Sequence, residues 1–307
     1  MQIPHHCTLC PRACGADRAA GQRGFCGADN TLRVARAALH HWEEPCLSGD
    51  PNAETGSGTV FFSGCTLRCC FCQNYRISRE LYGKALTTRE LADTFLRLQD
   101  QGANNISLVT ATHFLPWILP ALDLVRDHLF IPVVYNCGGY ERVETIDALK
   151  DYVDIWLPDL KYESSDLSAR YSQAPFYFQT ATKAISQMIR QTGAPKLRTI
   201  PGEAAPVMER GVIIRHLVLP GQKEDSIRLM HWLADSLPQN SFYISLMSQY
   251  TPYEKNPQFP ELNRRITSYE YQKVVDAALE LGLTQGFMQE KSSAKEEYTP
   301  AFDLEGL

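Results

Sequence analysis

From Gly56 onward the chain alternates short apolar runs with longer amphipathic stretches. The runs "SLVT", "PVVYN", "DIWLPDL", "VIIRHLVLP" and "FYISLM" are nearly continuously apolar. Strands buried on both faces of a parallel sheet have that texture. Strands are expected at Thr59–Ser63, Ile106–Thr110, Pro132–Asn136, Asp154–Pro158, Val212–Leu219 and Phe242–Met247. Helices are expected at Thr88–Gln101, Trp117–Leu129, Val143–Tyr152, inside Asp166–Gln191, at Lys223–Leu237 and at Ser268–Leu281, the last closed by Gly282. In Thr88–Gln101 the apolar stripe Leu91, Phe95, Leu98 marks a helix laid on the sheet.

Strand and helix in strict alternation imply right-handed βαβ units. A closed (β/α)₈ barrel needs roughly eight of them, and this chain offers six. The expected fold class is therefore α/β, a partial (β/α)₆ TIM-type barrel over residues 51–307 that includes the C-terminal helix and a polar surface tail, Glu290–Leu307. Residues 1–50 lack a long period and read as a small Cys-rich metal-binding module that needs a staple. Function in such sheets sits at the strand C-termini, where Gly64-Cys65, Thr112-His113, Asn136-Cys137, Asp159–Lys161 and Pro220-Gly221 fall.

Composition narrows the class. The chain has 307 residues, is 44% hydrophobic and 21% charged, and carries a formal charge of −5. With a pI near 5.9 it offers no basic footprint for nucleic acid or for an anionic membrane surface. No apolar run of membrane-spanning length occurs, and the opening residues do not read as a secretory signal. A cytoplasmic location is expected, where thiols stay reduced.

That matters because there are ten cysteines, eight of them in two tight groups. Cys65, Cys69 and Cys72 form C-x₃-C-x₂-C directly after the first expected strand. Three thiolates cannot complete a tetrahedral structural zinc site. They can hold three irons of a [4Fe–4S] cluster and leave the fourth open to a ligand. The blander readings are half of a zinc knuckle or buried thiols, and Cys70 permits an alternative spacing. Phe71, just before the third ligand, is placed to cover a flat cofactor ring.

The other group, Cys7, Cys10, Cys14 and Cys26, supplies four thiolates with a C-x₂-C start, enough for a tetrahedral metal. Structural zinc, a mononuclear iron and an auxiliary cluster stay open here. His5 and His6 read as solvated, Cys46 and Cys137 as buried thiols, and "HHWEEP" (His40–Pro45) as a charged turn. No dinucleotide, P-loop, nucleophile-elbow or H-E-x-x-H motif occurs.

The segments "CTLCPRACGADR…GQRGFCGA", "GSGTVFFSGCTLRCCFCQN", "IWLPDLKY", "IIRHLVLPG" and "SLMSQYTP" resemble the radical S-adenosylmethionine (SAM) superfamily. They are most similar to its pyruvate formate-lyase activating enzyme branch, and there to the PflX-type proteins. The resemblance covers nearly the whole chain and implies reductive cleavage of SAM on a [4Fe–4S] cluster, followed by hydrogen abstraction. It implies Cys65, Cys69 and Cys72 as cluster ligands, with Phe71 and Asn74 at the adenine side. Asp159 and Lys161 match a D-x-K that brackets the SAM carboxylate and ribose. Arg215 matches an arginine that meets the carboxylate.

Relatives carry Gly-Gly-Glu where this chain has Val109–His113, which leaves Thr110, Thr112 and His113 as substitutes by position. Asn136 stands in "YNCGGY", where the branch has Asp-Thr-Asn-Gly, and Gln249 and Tyr250 replace a histidine. The resemblance implies a protein or peptide substrate and a flavodoxin- or ferredoxin-type electron donor. The alternatives are a small-molecule substrate, or a non-enzymatic iron–sulfur or zinc protein that relays electrons or senses.

Overall fold

The computed structural model describes residues 1–50, 54–199, 205–252, 255–289 and 300–307. The strands are β1 (Arg33–His40), β2 (Gly56–Phe62), β3 (Lys84–Ala85), β4 (Ala103–Val109), β5 (Val133–Cys137), β6 (Ile155–Pro158), β7 (Lys196–Arg198), β8 (Val207–Leu217), β9 (Tyr243–Met247) and β10 (Gly286–Met288). The helices are α1 (Pro45–Ser48), α2 (Tyr75–Ser78), α3 (Thr88–Asp100), α4 (Leu115–Val125), α5 (Val143–Ala148), α6 (Ser165–Ser172), α7 (Tyr177–Thr192), α8 (Lys223–Ser236) and α9 (Ser268–Glu280). No helix among the described residues is long and apolar enough to cross a membrane.

The fold is mixed α/β around one sheet ordered β10-β9-β8-β6-β5-β4-β2-β1-β3. The six expected strands are all present as β2, β4, β5, β6, β8 and β9, adjacent in chain order and parallel. Three helices, α3, α6 and α9, start where a side chain satisfies a first-turn amide. In α3, Thr87 Oγ1 accepts from the Glu90 amide while the Glu90 carboxylate accepts from Thr87 N, and Thr267 and Glu270 repeat the box on α9. The helical region inside Asp166–Gln191 is two helices. Gln173 adopts a left-handed φ of 53° that ends α6 before α7 begins.

Alternation along the strands divides the side chains between two faces. One face sends Phe62, Leu108, Tyr135, Trp156, Ile214 and Leu246 into the main core with the helices. The other gathers Val134, Ile155, Leu157 and Ile213 around Cys46 and Leu47 of α1. That short helix is pinned there by Asn104 and Asn105, whose Nδ2 groups donate to Ser48 O (3.0 Å) and Leu47 O (2.8 Å). It fills the deep end of this face and leaves the strand C-termini clear. Cys46 and Cys137 are buried thiols, as expected.

The structure ties the first 50 residues into this unit. β1 runs antiparallel to β2 from Val34 to His40, so the expected boundary after residue 50 falls inside the sheet. Ahead of β1, Arg18 is fully buried. Its Nε and Nη2 donate to Asp29 O, and its Nη1 donates to His113 O at 2.6 Å. Arg18→Ala strands both carbonyls and empties a large site. The expected cost is about 3 kcal/mol or more in chemical denaturation.

Of the tail that sequence places on the surface, residues 290–299 lie outside the described residues. Residues 300–307 dock on β1, with Phe302 buried edge-on against Phe61 at 5.5 Å. Leu304 N donates to Ala35 O (3.2 Å) and Ala37 N donates to Glu305 O (3.0 Å). Arg36 adds ion pairs to Asp303 and Glu305.

Candidate active site

At the C-terminal ends of the parallel strands, on the face opposite the helices, lies a cleft of about 240 Å³. The loop from Gly64 to Asn74 forms one wall. Gly64 turns the chain with φ +90°, and a Cβ there would lie 2.5 Å from Cys26 O, so only glycine fits. Cys65, Cys69 and Cys72 all line the cleft, as do Phe71 and Asn74. Each sulfur has at least one polar neighbour. Leu67 N donates to Cys65 Sγ (3.4 Å), Ser172 Oγ donates to Cys69 Sγ (2.9 Å), and Ser78 Oγ lies 3.4 Å from Cys72 Sγ.

Burial pushes the Cys65 and Cys72 thiols up, and the neighbouring Cys69 adds to the rise. Buried thiols of that kind ionise only when a metal replaces the proton. Three cysteine sulfurs on one wall, each with a hydrogen-bonding neighbour, suit an iron–sulfur cluster. Among the described residues no three His, Cys, Asp or Glu side chains close on the spacing of one ion. A four-iron cluster holds its cysteines on separate irons, so their sulfurs need not meet.

The opposite wall is a chain of charges. Asp159 follows β6, and its Oδ2 accepts from Lys161 Nζ (2.6 Å) while its Oδ1 accepts from Arg215 Nε (3.0 Å) on β8. Asp159 and Lys161, two residues apart, point the same way, as the strand period requires. Arg215 Nη2 donates to Asn136 Oδ1 (2.6 Å), and Nη1 pairs with Glu43 Oε2 (3.3 Å). Burial alone would raise the Asp159 carboxyl, but Lys161 and Arg215 outweigh it and hold the group below the usual carboxylate range. For Glu43 burial wins over Arg215, and the nearby Asp159 carboxylate adds to the rise.

Tyr177 braces this wall from behind. Its hydroxyl donates to Gly138 O and Asp159 O and accepts from Lys161 N at 3.0 Å. Gln249 and Tyr250 also line the cleft, with Tyr250 set edge-on to Phe71 at 6.1 Å.

Thr110 lines the cleft in a left-handed conformation, φ 59°. Thr112 and His113 do not line it, which corrects their expected role. A 3-10 turn, Thr112–Phe114, rotates both away from the cleft and buries them. Thr112 Oγ1 donates to Glu141 (2.6 Å) and accepts from Tyr135 Oη (3.0 Å). His113 Nε2 donates to Ser63 O (2.8 Å), and burial pushes its pKa down to about 4, so the ring stays neutral near pH 7.

Sequence reasoning missed Glu43, with His40 and Trp42 beside it on the cleft. It also missed Ser172, Ser78 and Tyr177. None of these carries a local signal, because each reaches the site only through tertiary packing.

The N-terminal cysteines sit behind the cluster loop. Cys7, Cys10 and Cys26 are buried and Cys14 is exposed. A Cβ on Gly24 would lie 3.2 Å from Cys14 Sγ and 3.5 Å from Cys26 Sγ, so the glycine leaves room for both sulfurs. The knot grips the loop directly. Cys65 N donates to Cys26 O (3.3 Å), Arg12 Nε donates to Thr66 O (2.9 Å), and Arg68 Nη2 donates to Phe25 O (3.0 Å). The guanidiniums of Arg12 and Arg68 lie 3.9 and 4.4 Å from the Phe25 ring centre.

Against known proteins, the sequence model of the Radical SAM superfamily matches residues 59–233. The uncharacterized protein MJ0674 of Methanocaldococcus jannaschii is 28% identical over 283 residues, 89% of this chain and 74% of that protein. The pyruvate formate-lyase-activating enzyme of Clostridium pasteurianum is 29% identical over 137 residues, 42% of this chain and 54% of that enzyme. Streptococcus suis SuiB, solved bound to its precursor peptide SuiA, aligns with a TM-score of 0.46 and 14% identity. That alignment covers 74% of this chain and 47% of SuiB.

Proposed function

The chain belongs to the radical SAM superfamily, and we propose that it is an activating-enzyme-like member that abstracts hydrogen from a protein or peptide. Membership makes it an enzyme of that family and implies a [4Fe–4S] cluster with SAM. One observation carries the SAM-cleaving reading: three cysteines and the Asp159–Lys161–Arg215 chain face each other across a single cleft. Cys65, Cys69 and Cys72 would hold the cluster and leave one iron for the amino-acid end of SAM. When bound, the reduced cluster supplies the electron that cleaves the sulfonium of SAM.

The chain's own residues then bind and orient. Arg215 and Lys161 offer the donors that suit a carboxylate. Asp159, fixed between them, directs both cations. Phe71 and Asn74 stand at the adenine side, and Asn136 and Thr110 complete the walls.

Sequential parallel strands that keep their helices on one face support a partial (β/α)₆ barrel, with the cleft at the end where such sheets act. The activating enzyme of C. pasteurianum, by its name, acts on another enzyme, which supports a protein substrate. Ten free cysteines support a reducing, cytoplasmic setting, and the family resemblance implies a flavodoxin- or ferredoxin-type donor. Cys7, Cys10, Cys14 and Cys26 are proposed as a second centre: zinc, a single iron or an auxiliary cluster.

Anaerobically reconstituted protein given dithionite and SAM is expected to release 5′-deoxyadenosine and methionine. If neither forms, the chain is not a SAM-cleaving enzyme, and the relay or sensor alternative stands in its place.

A further inference from the structure

The segment His40–Pro45, read from sequence as a charged turn, keeps Trp42 and Pro45 exposed and turns Glu43 and Glu44 inward. It leads into α1, which Asn104 and Asn105 pin against the inner face of the sheet. Trp42 and Glu43 are thereby placed on the cleft, and the Glu43 side chain is only 9% exposed. Its Oε2 meets Arg215 Nη1 at 3.3 Å, and its Oε1 accepts from Asn136 Nδ2 at 3.4 Å.

Arg215 is thus held by three acceptors, and they are unequal. Asn136 at 2.6 Å and Asp159 at 3.0 Å are close, while Glu43 at 3.3 Å is the longest of the three. Asp159 is committed twice, to Arg215 and to Lys161. Glu43 meets Arg215 and Asn136 only at long range, and its carboxyl also lies against that of Glu44. Two cations, Lys161 and Arg215, face three carboxyl groups, Asp159, Glu43 and the buried Glu44, so the wall has no spare positive charge before any ligand arrives. A ligand carboxylate adds a negative charge to a largely buried site, which is costly unless a proton or a cation compensates it.

We infer that Glu43 is a positioning residue for Arg215 that yields its place to the ligand's carboxylate and takes up one proton as it does so. The inference rests on the SAM reading above, since the methionyl end of SAM supplies that carboxylate. The exchange balances. The Arg215 Nη1–H···Oε2 contact breaks, Nη1–H donates to the incoming carboxylate, Glu43 gains a proton from solvent, and Arg215 stays charged throughout.

The charged and titratable groups around Glu43 are Arg215 on β8, Asp159 and Lys161 after β6, and Glu44 and His40 on its own segment. Burial raises Glu43, while the two cations hold Asp159 down, so Glu43 is the easier of the pair to protonate. Glu44 is also raised by burial, with Glu43 adding to it, and it must be tested separately.

The test is calorimetric titration of anaerobic, cluster-loaded protein with SAM, in two buffers of different ionisation enthalpy and across pH 7 to 9. The SAM amine titrates in the same range, so the readout is the difference between proteins. Wild type is expected to take up about one more proton per SAM than Glu43→Gln, and to lose up to about tenfold more affinity per pH unit. Glu44→Gln is expected to keep the wild-type proton count. Equal proton counts and parallel pH profiles for wild type and Glu43→Gln would overturn the role given to Glu43. Transfer of the effect to Glu44→Gln would overturn it equally. Binding of SAM by none of the three proteins would instead overturn the SAM reading, and this inference with it.

Discussion

A chain in which Cys65, Cys69 and Cys72 are all alanine is expected to form no detectable 5′-deoxyadenosine, a loss on the order of 10³-fold or more. The sulfurs make few fixed contacts: the Leu67 and Asn74 amides, one serine donor and one serine at 3.4 Å. The fold should therefore survive, and far-ultraviolet circular dichroism checks that it does. Iron and zinc counts on the same variant read the second group of cysteines in isolation. About four irons left mean a cluster at Cys7, Cys10, Cys14 and Cys26, and about one iron or zinc means a single ion. A variant that keeps both its full iron and its turnover would remove these three cysteines from the site.

Asp159→Ala should be the most damaging single change on the opposite wall. It leaves the Lys161 ammonium and the Arg215 guanidinium without their shared carboxylate, with both side chains largely buried at 18% and 15% exposure. Breaking one partner of such a set costs about 3–5 kcal/mol, and the remaining solvent access places the loss toward the lower figure. Urea denaturation measures it. The pH dependence has a definite sign. Asp159 is depressed in the folded protein, so its contribution is complete above the ordinary carboxylate value near 3.9 and is lost as pH falls through its lower folded value. Wild type should therefore give up its advantage over Asp159→Ala only in acid, below about pH 4. An advantage that persisted unchanged to pH 2 would contradict the ion-pair account.

The longer parallel strands were legible because they are buried on both faces and most contain a nearly continuous apolar run. β1 hid behind its composition. "RVARAALH" carries Arg33 and Arg36, whose charges suggest a loop until the tail and Asp29 are seen to pair with them. β3, β7 and β10, two or three residues each, are too short for any period.

At the site, Cys65, Cys69 and Cys72 could be found from spacing alone, since a compact loop brings near neighbours together whatever the fold. Asp159 and Lys161 were pointed to by the resemblance of "LPDLKY" to a D-x-K motif, and their place just past β6 sets both on the cleft. Thr112 and His113 failed because a three-residue 3-10 turn rotates side chains off the strand period. Glu43 could not be seen, because its inward course depends on Asn104 and Asn105, about sixty positions further along.

The docked tail also bears on how the molecule stays apart from its own copies. A sheet edge with bare amides and carbonyls templates pairing with another chain. The outer edge of β1 is bare at neither end. β3 pairs with Arg33 and Val34, and residues 304 and 305 take Ala35 O and Ala37 N. The backbone passes so close that a Cβ on Gly306 would lie 1.9 Å from Ala37 O. Those last residues act as a removable selvedge on the sheet. Wherever residues 304–307 lift away, the strand beneath becomes adhesive, and a side chain added at Gly306 would push off the strip that keeps it covered.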